Sequence, residues 1–303
     1  MPERVARRDP HTAVKQELLV RYLDTWTPTV LRSHRRASYL ESSRDGSAAA
    51  ALRVFGEFAD RLTGHQLDVV VLGVSDEPLA AVLDELGGPS GLSVRTVEEP
   101  DTVRLDGAVL AHLDLLADGG LDGSVAWRLV DRLAEGRAGE VLLTLPVADP
   151  GQVDGYRDRL GRAGLRHVAR VELADDAGRV QLLVFATGVE KHLVAFKDAL
   201  WAADEYAGIR YRDPYDPEHT LIDISLTPPL SPLRRALLEE LARRGECDVA
   251  DLREYTLRET IYRPVEVNRV LGALTTAGAV SRTPEKGRLT PRTRIRLHKP
   301  PQG

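Results

Sequence analysis

The stretch ASYLESSRDGSAAAALRVFGEFADRL, from Ala37 to Leu62, decides the fold. Its opening residues, Ala37 to Leu40, are a short apolar run. Ser42-Ser43-Arg44-Asp45-Gly46 is a polar turn, and Ser47 to Leu62 is alanine-rich with helical spacing. That succession reads as strand, turn, helix. The alternation continues outward, with strands at Asp68 to Val74 (DVVVLGV), Leu92 to Val97, Ala108 to Leu116 and Glu140 to Leu145 (EVLLTL). Helices fall at Pro78 to Leu86, Ser124 to Ala134 and Gln152 to Ala163. The strand runs are continuously apolar rather than alternating, the pattern of a parallel sheet covered on both faces.

On the N-terminal side, Asp9 is suited to cap a helix that Pro10 opens. Leu18, Leu19, Tyr22, Leu23 and Trp26 then recur at helical spacing, predicting an amphipathic helix of about 16 residues that ends near Pro28. On the C-terminal side, His167 to Leu173 and Val180 to Ala186 are joined by a polar, glycine-bearing loop and read as a hairpin, followed by a helix from Glu190 to Tyr206. Five parallel-type strands closed by an antiparallel pair is the order expected of a class I methyltransferase-like, Rossmann-type α/β sheet, a fold-level analogy only. Gly208 to Pro232 reads as a connector with one strand of its own, Leu221 to Leu226. Beyond it, Leu233 to Arg244, Val249 to Arg258 and Pro264 to Ala277 read as helices. Ala279 to Arg282 and Arg292 to Leu297 flank a turn, so this end reads as a winged helix-turn-helix. The expected division is 1–207 for the α/β body, 208–232 for the connector and 233–303 for the winged helix.

Charge divides the chain at the same place. The last 75 residues hold 15 Lys+Arg and 9 Asp+Glu, against 26 and 37 in the rest, so a basic end follows an acidic body. A basic end of this kind is the footprint of a part that meets a polyanion. No apolar run approaches the roughly 18 residues needed to span a bilayer, so no membrane role is expected. MPERVARRDP leads into no apolar segment, and Cys247 stands alone, which excludes an internal disulfide and fits a reducing cytoplasm. The eight His are dispersed, none three to five residues from another, so no local metal-ligand spacing is present. There is no Gly-x-Ser-x-Gly elbow and no Gly-x4-Gly-Lys phosphate loop.

HTAVKQELLVRYLDTW (His11 to Trp26) resembles the opening of the three-Cys-motif partner family, TcmP, through His11, Thr12, Lys15, Tyr22, Leu23 and Trp26. LVFATGVEKHLVAFKDALWAAD (Leu183 to Asp204) is similar to the family's strand followed by a helix with a Lys and a Trp, and the winged helix is a third, less specific likeness. The resemblance implies a methyltransferase-like sheet joined to a winged helix, working alongside a radical-S-adenosylmethionine-like three-cysteine protein. It also marks His11 and Lys15, four apart on one helix face, as a possible functional pair. The bland reading makes His11 a helix-start residue and Lys15 a solvated one.

The chain departs from the family pattern at the cofactor side. Where the family usually has an aspartate and a loop like Asp-x-Phe-Ala-Gly-x-Gly, Tyr39-Leu40-Glu41 runs directly into Ser42-Ser43-Arg44-Asp45-Gly46, and no Gly-x-Gly occurs in the chain. The segment after the fourth strand has become Leu116-Ala117-Asp118-Gly119-Gly120-Leu121. A nucleoside cofactor across the strand ends needs close backbone approach at the first turn and an acid after the second strand. Glu41, Gly46 and Asp76, or Glu77 beside it, are what remains for that purpose, and Arg44 is expected to fill part of the space. Two readings of the body stand: one that holds no cofactor, and one that retains S-adenosylmethionine in a rebuilt pocket and methylates nucleic acid.

The second helix of a helix-turn-helix enters the major groove, which here presents Arg263, Asn268 and Arg269, and the wing crowds Arg282, Lys286, Arg288, Arg292, Arg294, Arg296 and Lys299. DNA or RNA is the expected partner, with contacts mostly to phosphate. Tyr206, Tyr211 and Tyr215 are candidates to stack on unpaired bases. The alternative is a protein-docking module, with the basic wing against the acidic body of the same or another subunit. The sequence therefore predicts a nucleic-acid-binding scaffold for a partner enzyme, with an active methyltransferase or a docking module as the competing readings.

Overall fold

The computed structural model describes residues 9–73, 78–104, 106–116, 121–135, 139–203 and 208–298. The chain runs α1 (Pro10–Ser33), β1 (Arg36–Glu41), α2 (Ser47–Glu57), β2 (Gln66–Leu72), α3 (Leu79–Glu85), β3 (Leu92–Val97), β4 (Ala108–Asp114) and α4 (Gly123–Glu135). It continues with β5 (Gly139–Pro146), α5 (Pro150–Arg162), β6 (His167–Asp175), β7 (Val180–Thr187), α6 (Glu190–Ala202), β8 (Ile209–Arg212) and β9 (Ile222–Asp223). It ends with α7 (Ser231–Arg244), β10 (Glu246–Asp248), α8 (Val249–Glu259), α9 (Val267–Thr276), β11 (Val280–Thr283) and β12 (Arg294–Leu297).

The large sheet has the order β3-β2-β1-β4-β5-β7-β6-β8-β9. β3, β2, β1, β4 and β5 are parallel, and β7 inserts antiparallel between β5 and β6. This is the order read from the alternating sequence, five parallel strands finished by a hairpin. Both faces are covered. α1, α2 and α6 bury one through Trp26, Phe55 and Trp201 among others, and α4 and α5 bury the other through Leu129, Val130 and Leu160.

Two local expectations are corrected. α1 does not stop at Pro28 but runs on to Ser33, because Val30 and Leu31 extend its buried stripe, and the Thr27 and Thr29 hydroxyls donate to the carbonyls of Leu23 and Thr25 (2.7 and 2.9 Å) around the proline. The 208–232 segment contributes two strands, β8 and β9, which extend the sheet beyond β6.

α7, α8 and α9 pack with a small antiparallel sheet, β10-β12-β11, and this module is fastened to the body. The fully buried Lys197 of α6 donates to the carbonyls of Thr256 (3.1 Å), Thr260 (2.6 Å) and Tyr262 (2.9 Å), which lie in and just beyond the last turn of α8. A lysine there meets the free carbonyls of a helix end. Burial and then Arg170 push its pKa down to about 7, while three carbonyl acceptors call for the three donors of an ammonium. Trp201 donates to Ile261 O (3.0 Å) and stacks on Tyr262 with ring centroids 5.4 Å apart. Arg157 forms a bidentate pair with Glu259 (2.6 and 2.7 Å), and Arg170 adds a contact at 3.5 Å. One apolar cluster accordingly runs from Val14 in α1 to Ile295 in β12.

Candidate functional site

In an open parallel sheet, ligands lie outside the carboxyl ends of the strands. Here that edge is formed by Glu41 of β1 and His112 and Asp114 of β4, and Glu41 pairs in register with His112. α1 crosses the sheet from this edge to the opposite one: His11 lies at the end of β6, Lys15 at the end of β4, and Tyr22 at the start of β5.

The turn after β1 is closed by side chains. Glu41 is fully buried, and its carboxylate accepts from the Ser43 N–H (2.7 Å), from Tyr39 Oη and from His112 Nδ1 (2.9 Å). Burial opposes charge on His112, yet Glu41 outweighs it and raises the imidazole pKa above its ordinary value, with Asp45 adding to the effect. Lys15 Nζ lies 3.4 Å from Asp114 Oδ2 and 3.9 Å from Asp45 Oδ2, and Lys15 is buried. Gln16 Nε2 donates to Asp45 O at 2.5 Å. Gly46 has φ +93°, and a Cβ there would stand 3.1 Å from that same Gln16 nitrogen. Burial alone would raise the Asp45 pKa, but His112, hydrogen bonds with Ser47 and Ser43, and Lys15 together lower it. Ser42 Oγ accepts from the Asp114 N–H at 2.8 Å and ties β1 to β4.

The residues marked from sequence therefore distribute as follows. Glu41 and Gly46 lie together at the sheet edge with Lys15, whereas Asp76, Tyr206 and Lys299 lie outside the described residues, as do 117–120. Lys15 is not solvated: an ion pair at the strand ends takes it into the interior. His11 does not join it. Its Nε2 lies 3.2 Å from Leu173 O and its Nδ1 3.9 Å from Asp175, and burial lowers its pKa. Arg44, expected to fill the cavity, is exposed; Lys15 and Gln16 of α1 take that place because α1 overhangs the turn. His112, Asp45 and Asp114 escaped the sequence reading. His112 and Glu41 are 71 residues apart, and only strand order brings them together.

At the other end of the molecule, Arg263 is bound to Glu266 (2.6 and 2.8 Å) and to Leu226 O (3.0 Å), and Asn268 is half-buried. Arg269 is exposed on α9, in line with Val265 and Ala273. Arg282 is turned inward on the 283–293 loop, donating to Pro284 O at 2.9 Å. Arg294 approaches Glu246 at 3.3 Å, and Arg296 donates to Ser281 Oγ at 3.0 Å. Lys286, Arg288 and Arg292 are exposed and form no ion pair among the described residues. Tyr211 is fully buried and donates to Leu200 O (2.9 Å), while Tyr215 lies under Arg170 and donates to Asp154 (2.5 Å), so neither ring is free to stack on a base.

No protein-family model matches the chain, and no curated protein sequence matches it. Among solved structures it is similar to an N,N-8-amino-8-demethyl-D-riboflavin dimethyltransferase from Streptomyces davawensis, at 15% identity over 55% of this chain and 54% of that one, with a TM-score of 0.32. An O-methyltransferase family protein from Burkholderia thailandensis is 14% identical over 52% of each chain, TM-score 0.34. A human methyltransferase 10 domain containing protein is 12% identical over 57% of this chain and 83% of that one, TM-score 0.37. The chain spans about half the length of the first two structures. The order and direction of its own strands place the body in the methyltransferase-like, Rossmann-type α/β class. Among the described residues, no helix is long and apolar enough to cross a membrane.

Proposed function

We infer that the chain is a nucleic-acid-binding scaffold: a methyltransferase-like body that holds no S-adenosylmethionine, carrying a winged helix that docks on DNA or RNA. The supporting observation is a contrast between the two ends. At the strand ends Glu41 is committed to Tyr39, Ser43 and His112, while Lys15 and Gln16 lie over the turn at Gly46. At the wing, Lys286, Arg288 and Arg292 stand in solvent and form no ion pair among the described residues. The residues present do not fit the cofactor: a ribose or amino-acid moiety close to the first turn would meet Gln16 and would have to break the Lys15 pairs.

The succession helix, strand, helix, helix, strand, strand in α7 to β12 supports the winged-helix reading. α9 would face the major groove with Arg269, and the loop from β11 to β12 would lie along phosphates. Because Arg263, Arg282 and Tyr211 are engaged internally, the contacts left are mainly to backbone phosphate and carry little sequence information. The fastening through Lys197 makes the body a rigid handle on the nucleic acid. The partner enzyme that the TcmP resemblance implies, a radical-S-adenosylmethionine-like protein, would grip that handle.

The test is fluorescence anisotropy with labelled duplex DNA, single-stranded DNA and RNA over a salt series. Substituting Lys286, Arg288 and Arg292 together by Ala is expected to flatten the log–log salt slope on duplex DNA by about 3. Absence of binding to all three at low salt would remove the nucleic-acid reading. Calorimetric detection of micromolar S-adenosylmethionine binding would remove the cofactor-free body.

A further inference from the structure

Cavities also lie at the amino-terminal edge of the sheet. Two adjoining cavities of about 210 and 190 Å³ lie between the C-terminal half of α1, the first turn of α6 and the starts of β4 and β5, and both are lined by Thr29, Lys191 and His192. This is the edge opposite Glu41, where the fold class does not seat its ligand.

Three features identify what it would hold. Buried Trp26 Nε1, His34 Nδ1 and His192 Nε2 make no hydrogen bond among the described residues, and all three residues line the cavities. An indole N–H can only donate, so at least one of these calls for an acceptor from outside the chain. Next, the lining carries Arg32 and Lys191, both exposed at the rim. The acid in the lining, Glu140, is fully engaged: it accepts from Tyr22 Oη and from His192 Nδ1 (2.6 Å). That contact fixes the His192 ring, and its Nε2 is buried without a partner among the described residues. Finally, each cavity has an apolar wall: Val30, Ala108 and Val189 in one, and Ala195 with the Tyr22 and Trp26 rings in the other.

The geometry points to a binding site for a small organic carboxylate with a flat apolar body, its head group at the Trp26 N–H and the rim cations and its ring between α1 and α6. A phosphate ester, with three acceptor oxygens, would call for more buried donors than the cavities supply. Each cavity has room for about one ring system.

The full chain is titrated calorimetrically with benzoate, phenylacetate and indole-3-acetate, and with the matching carboxamides. At least one acid is expected to bind with a Kd on the order of 0.1 mM, about tenfold tighter than its amide. R32A/K191A, at exposed positions, is expected to weaken that binding about tenfold. Ala195→Phe, which fills one cavity, is expected to abolish it while the thermal midpoint stays unchanged. Failure of every acid to bind at about 5 mM overturns the site, as does equal binding of acid and amide. Unchanged affinity in R32A/K191A does the same, and that variant decides the matter should Ala195→Phe not fold.

Discussion

Replacing Glu41 by Gln tests whether the strand-end carboxylate serves the fold or a ligand. In the wild type one oxygen accepts from the Ser43 N–H and the other from both Tyr39 Oη and His112 Nδ1, all inside the protein. A glutamine of the same shape offers one acceptor oxygen. With its NH₂ toward Ser43 the amide leaves that buried N–H unpaired at about 1–3 kcal/mol; turned the other way it requires the Tyr39 hydroxyl and His112 Nδ1 to accept rather than donate, and in both cases the charge-assisted bond to His112 is lost. The sum is about 3 kcal/mol, or a fall in thermal midpoint of about 5 °C for a chain of 303 residues. The loss depends on pH. His112 has its pKa raised in the folded state, so its contribution is fully present below the unfolded value near 6.5 and fades as pH rises through the folded value. The gap between wild type and Glu41→Gln is therefore expected to be larger at pH 6 than at pH 9, read by calorimetry or circular dichroism at both. A variant as stable as the wild type, or more stable, would refute the reasoning, since that is the behaviour of a carboxylate held ready for a ligand at the expense of stability.

Lys197→Met is expected to lower stability by about 2–4 kcal/mol and to open the 208–232 segment to protease, because Thr260 O and Tyr262 O lose their donor while Thr256 O keeps Thr260 Oγ1 (2.8 Å). An unchanged urea midpoint together with an unchanged digest would show that the module is held by other contacts. Gly107→Ala should cost about 3 kcal/mol or more, because φ is +78° and a Cβ would stand 2.1 Å from Arg36 O, whereas Gly64→Ala, with a similar φ and open space, should cost about 1 kcal/mol. Equal losses in urea titrations of the two would show that the β1–β4 junction yields.

Much of the body could be read locally because its strands are buried on both faces. Val69, Val70, Val71 and Leu72 lie in an unbroken apolar run, and a run of that length between turns leaves few alternatives to a covered parallel strand. The end of α1 could not be read that way: a proline weighs heavily in a local reading, but the packing of Val30 and Leu31 that outweighs it is tertiary. β8 is not legible for a related reason. It is four residues long and its pairing with β6 is the whole of its signal, whereas β9, which pairs with β8, lies within the strand expected at Leu221 to Leu226. At the candidate site, Glu41 and Gly46 were legible as the place where a glycine loop is missing. The occupant is not, since the sequence offers Lys15 either as a solvated lysine or, through the TcmP resemblance, as a partner of His11, and neither places it over the turn.

The sequence by itself determined the alternation of strand and helix, the basic C-terminal end and the loss of the glycine turn, because each is written in neighbouring residues through periodicity, charge and backbone freedom. Only the tertiary structure decided that α1 places Lys15 between Asp45 and Asp114, that Glu41 meets His112, and that Lys197 closes the end of α8. Each of these joins side chains far apart in the chain, and an ion pair or hydrogen bond of that kind has no existence until the sheet order brings its partners within a few ångströms.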